Sequence, residues 1–225
     1  MKNYISIILC GLLLVTSCKT EKKEPAAADS QKELTVLEKV AQAHGYDNWG
    51  TVSEIKYTFN VDRDSSHFER SWNWKPKSNE VKLMTRQDTV SYTRNAIDST
   101  LVKTDGGFIN DKFWLLGPYQ LIWDSNNFTY EHEEAAESPI SKEKMHKLSI
   151  VYGNEGGYTP GDAYDFYFGN DYIIKEWVFR KGNQEDPSMV TSWEDYKTIS
   201  GMKIATMHKM PESNFQLYFS GIEIE

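Results

Sequence analysis

Residues 163–180 read AYDFYFGNDYIIKEWVFR, two runs rich in aromatic and β-branched residues on either side of Gly169-Asn170-Asp171. Gly, Asn and Asp tolerate positive φ and build tight turns, so the stretch reads as a β-hairpin. Alternation places Tyr164, Phe166 and Phe168 on one face of the first strand, with Ala163, Asp165 and Tyr167 on the other. In the second strand Tyr172, Ile174 and Val178 share a face with Glu176, while Ile173, Trp177 and Phe179 share one with Lys175. Large apolar groups therefore lie on both faces. A sheet with one wet side alternates more cleanly, so a second layer must cover this hairpin.

Most of the remaining chain repeats the strand-and-turn pattern. Residues 53–62 carry Ile55, Tyr57, Phe59 and Val61 on one side and Glu54, Lys56, Thr58 and Asn60 on the other. Residues 67–74 follow after a polar turn, with Phe68, Arg70, Trp72 and Trp74 on one face, and residues 81–85 and 89–94 read as short strands. Further strands are expected at 147–152, 189–196, 201–209 and 214–222; no element is assigned to the polar residues 125–145. Strands at this spacing, without long helices between them, predict antiparallel meander order.

Two segments depart from that pattern. Ser30 and Glu33 match a capping box, and Leu34, Leu37, Val40, Ala41 and His44 follow at helical spacing up to Gly45. A helix is expected over 31–44, with His44 a polar residue of its last turn rather than a ligand. Residues 111–124 (DKFWLLGPYQLIWD) crowd Phe113, Trp114, Leu115, Leu116, Tyr119, Leu121, Ile122 and Trp123 together. Asp111 can cap and Gly117-Pro118 can end a helix of one or two turns, too short to cross a bilayer. A stretch this apolar must be buried, and it reads as the cover that the hairpin requires. The expected architecture is mainly β (α+β): a single, strongly curved antiparallel sheet, an open half-barrel, with an N-terminal helix and a short helical lid over the concave face.

The amino terminus carries an address. A short positive start precedes the apolar run 4–15 (YISIILCGLLLV), which has the length of a signal-peptide core. The run ends in Val15-Thr16-Ser17-Cys18, which resembles a bacterial lipobox. The resemblance implies removal of residues 1–17 and lipidation of Cys18, whose acyl chains would anchor the protein stably. Cys10 lies in the segment to be removed, so the mature chain would keep no free thiol, disulfide or Cys-ligated metal. Residues 18–30 then comprise the lipidated Cys and a charged, Pro- and Ala-containing tether, and 31–225 form the domain. Lys19 in place of Asp favours the outer membrane by the same resemblance, facing either the periplasm or the exterior.

Chemistry is sparse. Formal net charge is −8, which argues against nucleic acid and against docking on anionic lipid through charge. Glu131-His132-Glu133-Glu134 lacks the second His of a zincin helix, and His67, His146 and His208 have no ligand spacing. No nucleophile elbow or phosphate-cradling loop occurs, so no catalytic residue, metal or cofactor is assigned. Asp162, Asp165, Glu185 and Asp186 read as solvated turn or strand residues. Aromatics are the positive signal: they make up 13% of the chain, with seven Trp, and they fit a curved sheet that lines an apolar cavity.

The order of signal, lipobox, helix, long antiparallel run, buried apolar insert and further strands is similar to the LolA/LolB-like superfamily of envelope lipoproteins and lipoprotein carriers. Residues 110–124 (NDKFWLLGPYQLIWD) and 176–196, with WVFRKG and TSWEDY, resemble segments of that group. The resemblance implies an unclosed, strongly bent barrel, helices as a lid, and an acyl chain or other lipid in the cavity. Residues expected to line the cavity are Trp72, Trp74, Phe113, Trp114, Leu115, Trp123, Tyr164, Phe166 and Trp177. One departure is the anchor itself, which the soluble carrier of the group lacks; an anchored receiver or binder fits better than a shuttle. The expected function is therefore a non-catalytic, membrane-anchored binder of a hydrophobic small molecule or lipid. Second comes a structural or interaction module that partners other envelope proteins, and last a lipid or glycan hydrolase.

Overall fold

The computed structural model describes residues 33–155 and 160–225. The signal peptide, Cys18, the tether and Ser30 to Lys32 lie outside the described residues. The first helix, α1 (Val36–Ala43), starts later than expected because Thr35, not Ser30, caps it. The Thr35 hydroxyl accepts the Glu38 N–H at 3.2 Å while the Glu38 carboxylate accepts the Thr35 N–H at 2.7 Å. His44 ends the helix, and Gly45 follows in the left-handed region at φ +85°. A Cβ on Gly45 would sit 2.1 Å from the Gly201 carbonyl oxygen, so both the turn and the close approach require glycine.

Four antiparallel strands follow: β1 (Ile55–Arg63), β2 (Ser66–Lys75), β3 (Glu80–Met84) and β4 (Thr89–Thr93). Then come helix α2 (Val102–Trp123) and strands β5 (Phe128–Glu137), β6 (Lys144–Tyr152), β7 (Ala163–Phe168), β8 (Ile174–Arg180) and β9 (Met189–Ser192). The chain ends in β10 (Lys197–Ile199), β11 (Met202–Ile204), β12 (Met207–Lys209) and β13 (Gln216–Ile224). The fold is mainly β and antiparallel, as expected. It is not one sheet: a six-stranded sheet runs β12-β13-β1-β2-β3-β4, a five-stranded sheet runs β5-β6-β7-β8-β9, and β10-β11 is a ribbon. A bridge between Glu194 and Met207 joins the two large sheets.

Helix α2 corrects the expected short lid. It has 22 residues, and side chains on every side of its second half are buried. Phe108 packs edge-on against Trp72 and Trp74 of β2, whereas Phe113 stacks on Tyr164 of β7. The helix is therefore a hub held by both sheets rather than a flap over one. Gly117-Pro118 does not end it. Leu116 leaves helical geometry at φ −125°, ψ 28°, and Pro118 falls in the first turn after that break, where its missing N–H costs nothing.

The central hairpin is present, with Phe166 opposite Trp177. A bulge at Lys175 brings Ile174 opposite Phe168, so Ile174 joins Trp177 in the main core instead of sharing a face with Val178. The second face of this hairpin has no helical cover. Tyr167 and Val178 pack with Met145, and Asp165, read as solvated, is buried under a two-pronged contact from Arg180 at 3.2 Å. Glu176 accepts N–H groups of Ile140 and Ser141 at 2.7 and 3.0 Å, pinning the β5–β6 loop onto that face. Residues 125–145, left unassigned from sequence, contain β5 and the start of β6, a strand at the sheet edge whose side chains from Thr129 to Ala135 are exposed.

Candidate functional site

Two carboxylates fix α2 on the six-stranded sheet. Arg70 Nε and Nη2 donate to the two oxygens of Asp111, each at 2.6 Å, and Trp72 Nε1 donates to the same carboxylate at 2.7 Å. Six residues earlier, Arg94 Nε and the Tyr92 hydroxyl donate to Asp105 Oδ1 at 2.8 and 3.0 Å. Both carboxylates are fully buried. Asp111 is thus a strut, not a helix cap. Desolvating such ions is expensive, and only geometry this complete offsets it, so the register of α2 against β2 and β4 is tightly specified.

That register leaves a pocket on the opposite sheet. Ile109, Phe113 and Trp114 of α2 face Tyr164 of β7 and Trp177 and Phe179 of β8 across a concavity of about 390 Å³. The rings are ordered against one another: Phe113 on Tyr164 at 4.7 Å, Trp114 on Trp177 at 4.4 Å and Tyr164 on Phe179 at 5.2 Å between centroids. Asn110 and Asp162 also line it, and Asp162 Oδ1 accepts the Gly182 N–H at 2.7 Å. Walls of this kind bury apolar groups and offer no nucleophile paired with a base.

Beyond Trp114 the aromatic packing continues inward. His208 lies 5.1 Å from Trp114 and 4.7 Å from Trp193, between ring centroids. Burial pushes its imidazole down to about 3, against the opposing contact of Nδ1 with the Ser192 carbonyl. Its Nε2 has no hydrogen-bond partner among the described residues, nor have the indole N–H groups of Trp177 and Trp193. His44 is likewise buried rather than merely polar: burial lowers it to about 4, and its ring joins the Val40 carbonyl to the Ile174 N–H.

The residues expected to line one cavity are divided by the structure. Phe113, Trp114, Tyr164 and Trp177 come together in the apolar pocket. Trp74 and Trp123 line a separate cleft of about 370 Å³ on another face of α2, with Trp49 and Lys112. Trp72, Leu115 and Phe166 are core, at 1%, 1% and 0% exposure. Cys18 lies outside the described residues. Sequence reasoning missed Trp49, Lys112 and Phe179 as wall residues. Lys112 alone had a legible signal: a cation directly before the apolar run 113–116. The Glu131–Glu134 run lies on β5, where His132 stacks on His146 of β6 with 3.1 Å between nitrogens. Among the described residues no three His, Cys, Asp or Glu side chains converge as a metal would need. A larger concavity, about 630 Å³, opens among turn residues around Asp62, His67 and Lys209 and touches none of the α2 aromatics.

No protein-family model and no curated protein matches the sequence. Among solved structures, the chain is similar to a DUF1329 family protein from Desulfovibrio piger, with a TM-score of 0.49 and 11% identity over 84% of this chain and 92% of the other. It is similar to the same degree, at TM-score 0.49 and 12% identity with the same coverage, to a domain from Vibrio parahaemolyticus described as an outer membrane lipoprotein-sorting protein.

Proposed function

We propose that this chain is a non-catalytic, lipid-anchored binding protein of the bacterial envelope that holds an acyl chain in the pocket between α2 and β7–β8. The observation that carries the proposal is the aromatic and aliphatic lining of that pocket, built from Ile109, Phe113, Trp114, Tyr164, Trp177 and Phe179. Its volume of about 390 Å³ lies within the roughly 300–1,000 Å³ of small-molecule sites. In this reading residues 1–17 are removed, Cys18 is lipidated, 18–30 form the tether and 31–225 form the binding domain. The Glu194–Met207 bridge supports treating the two large sheets as one bent surface around α2, the half-barrel of the LolA/LolB-like resemblance.

The test uses the tryptophans that line the pocket. In the Cys18→Ala chain, 9,10-dibromostearate should quench fluorescence saturably where stearate does not, and Ile109→Trp, which fills the pocket, should weaken that binding about ten-fold or more. Quenching that never saturates, or that survives Ile109→Trp unchanged, would refute the assignment. A second reading, a docking module for another envelope protein, is favoured by the exposed edge strand β5, which could accept a partner strand. It predicts no saturable response to either fatty acid.

A further inference from the structure

Independent of the acyl-chain pocket, another face of α2 places a cation and an amide beside three tryptophans. Lys112 is buried at 7% exposure, yet its ammonium has no hydrogen bond or ion pair among the described residues. It lies 5.0 Å from the ring centroid of Trp123 and 5.5 Å from that of Trp74. Eight residues further along α2, Gln120 is buried at 3% exposure, with no hydrogen bond from its amide among the described residues. Both side chains line the same cleft of about 370 Å³, walled by Trp49, Trp74 and Trp123. Neither polar end is among the enclosed, partnerless polar atoms of the described residues, so both open onto the cleft, where the indole faces of Trp74 and Trp123 are the contacts of the ammonium. Burial and the positive charge of Arg94 hold the Lys112 amine down at about 8, a cost that a bound anion would remove.

We propose that this cleft is a binding site for a small monocarboxylate with a flat or apolar body, its carboxylate on Lys112 and Gln120 and its body against the three tryptophans. The charge count favours a single negative charge. Lys112 and Lys77 line the cleft against one carboxylate, Asp124, which also accepts the Tyr152 hydroxyl at 3.0 Å. Two cations facing one anion leave room for one unit of negative charge, and Asp124 would repel a phosphate dianion. The indole faces supply a rigid apolar wall for a planar body. The short helical segment Tyr46–Thr51 completes the site by bringing Trp49 within 4.7 Å of Trp123 and 5.5 Å of Trp74, between centroids.

Calorimetric titration of the Cys18→Ala chain with 2-naphthoate and its uncharged isostere 2-naphthamide tests the site. Wild-type residues should bind the carboxylate at least about ten-fold tighter than the amide, and Lys112→Met should bring the two affinities together. Gln120→Leu should reduce the preference less. A measurement without any substitution accompanies these: 2-naphthoate should slow acylation of Lys112 by an amine-reactive ester, followed on its peptide by mass spectrometry, and 2-naphthamide should not. Equal affinities before substitution, a preference that survives Lys112→Met, no binding of naphthoate, or unchanged labelling of Lys112 would each overturn the proposal.

Discussion

His208 is a base placed where its charged form cannot be solvated. Burial lowers it to about 3 and His44 to about 4, whereas in an unfolded chain both titrate near 6.5. Below that value the unfolded state binds protons that the folded state refuses, so stability is fully present above about pH 6.5 and falls as pH drops toward the folded values. Each histidine contributes a slope of up to about 1.4 kcal/mol per pH unit in that window. Urea midpoints between pH 7 and pH 4.5 should show the loss, and His208→Leu should remove one proton's share of the slope; an unaltered slope would show that His208 is not buried neutral. Such residues were poorly legible in sequence. His208 showed only as a histidine without ligand spacing, Asp111 as a possible helix cap, and Asp105 not at all, because their surroundings come from distant strands: Arg70, the partner of Asp111, lies 41 positions away. The aromatic residues were the more readable ones, since an indole or phenyl ring has few other places to go.

Helix α2 marks where local reading stops. Its second half was visible as an apolar cluster, but the first half, with Gly106-Gly107 and charged neighbours, has no helical pattern of its own. Tertiary contacts make it helical: Asp105 on Arg94, Asp111 on Arg70, and Phe108 between Trp72 and Trp74. Pro118 was read as a terminator because a proline inside a regular helix costs about 3 kcal/mol. The break at Leu116 removes most of that cost. Pro118→Ala should therefore shift the unfolding free energy by less than about 1 kcal/mol, measured by denaturant titration; a gain near 3 kcal/mol would mean that α2 is a continuous helix strained by its proline. The bulge at Lys175 is a similar case. Strand alternation correctly put Trp177 and Phe179 on the face opposite Val178, yet one extra residue moved Ile174 across the sheet, a device that periodicity does not reveal.

At the scale of the molecule, antiparallel order was legible because hairpin turns encode it locally, whereas the helix expected over the hairpin's second face packs instead on the Tyr164 and Trp177 face. The division into two sheets was not legible, since it depends on where β9 and β13 find their neighbours. The placement of α2 between those sheets creates both hollows: an aromatic pocket against β7–β8 and a tryptophan-walled cleft beside β2. The same hub explains why the expected cavity residues separated, with four in one hollow, two in the other and three in the core. The most direct test of the binding proposal is native mass spectrometry of the full chain extracted gently from membranes. A population carrying one non-covalent acyl-chain ligand is expected, lost when Ile109→Trp fills the pocket. A protein that is ligand-free in every preparation, or a bound mass that Ile109→Trp leaves in place, would contradict it.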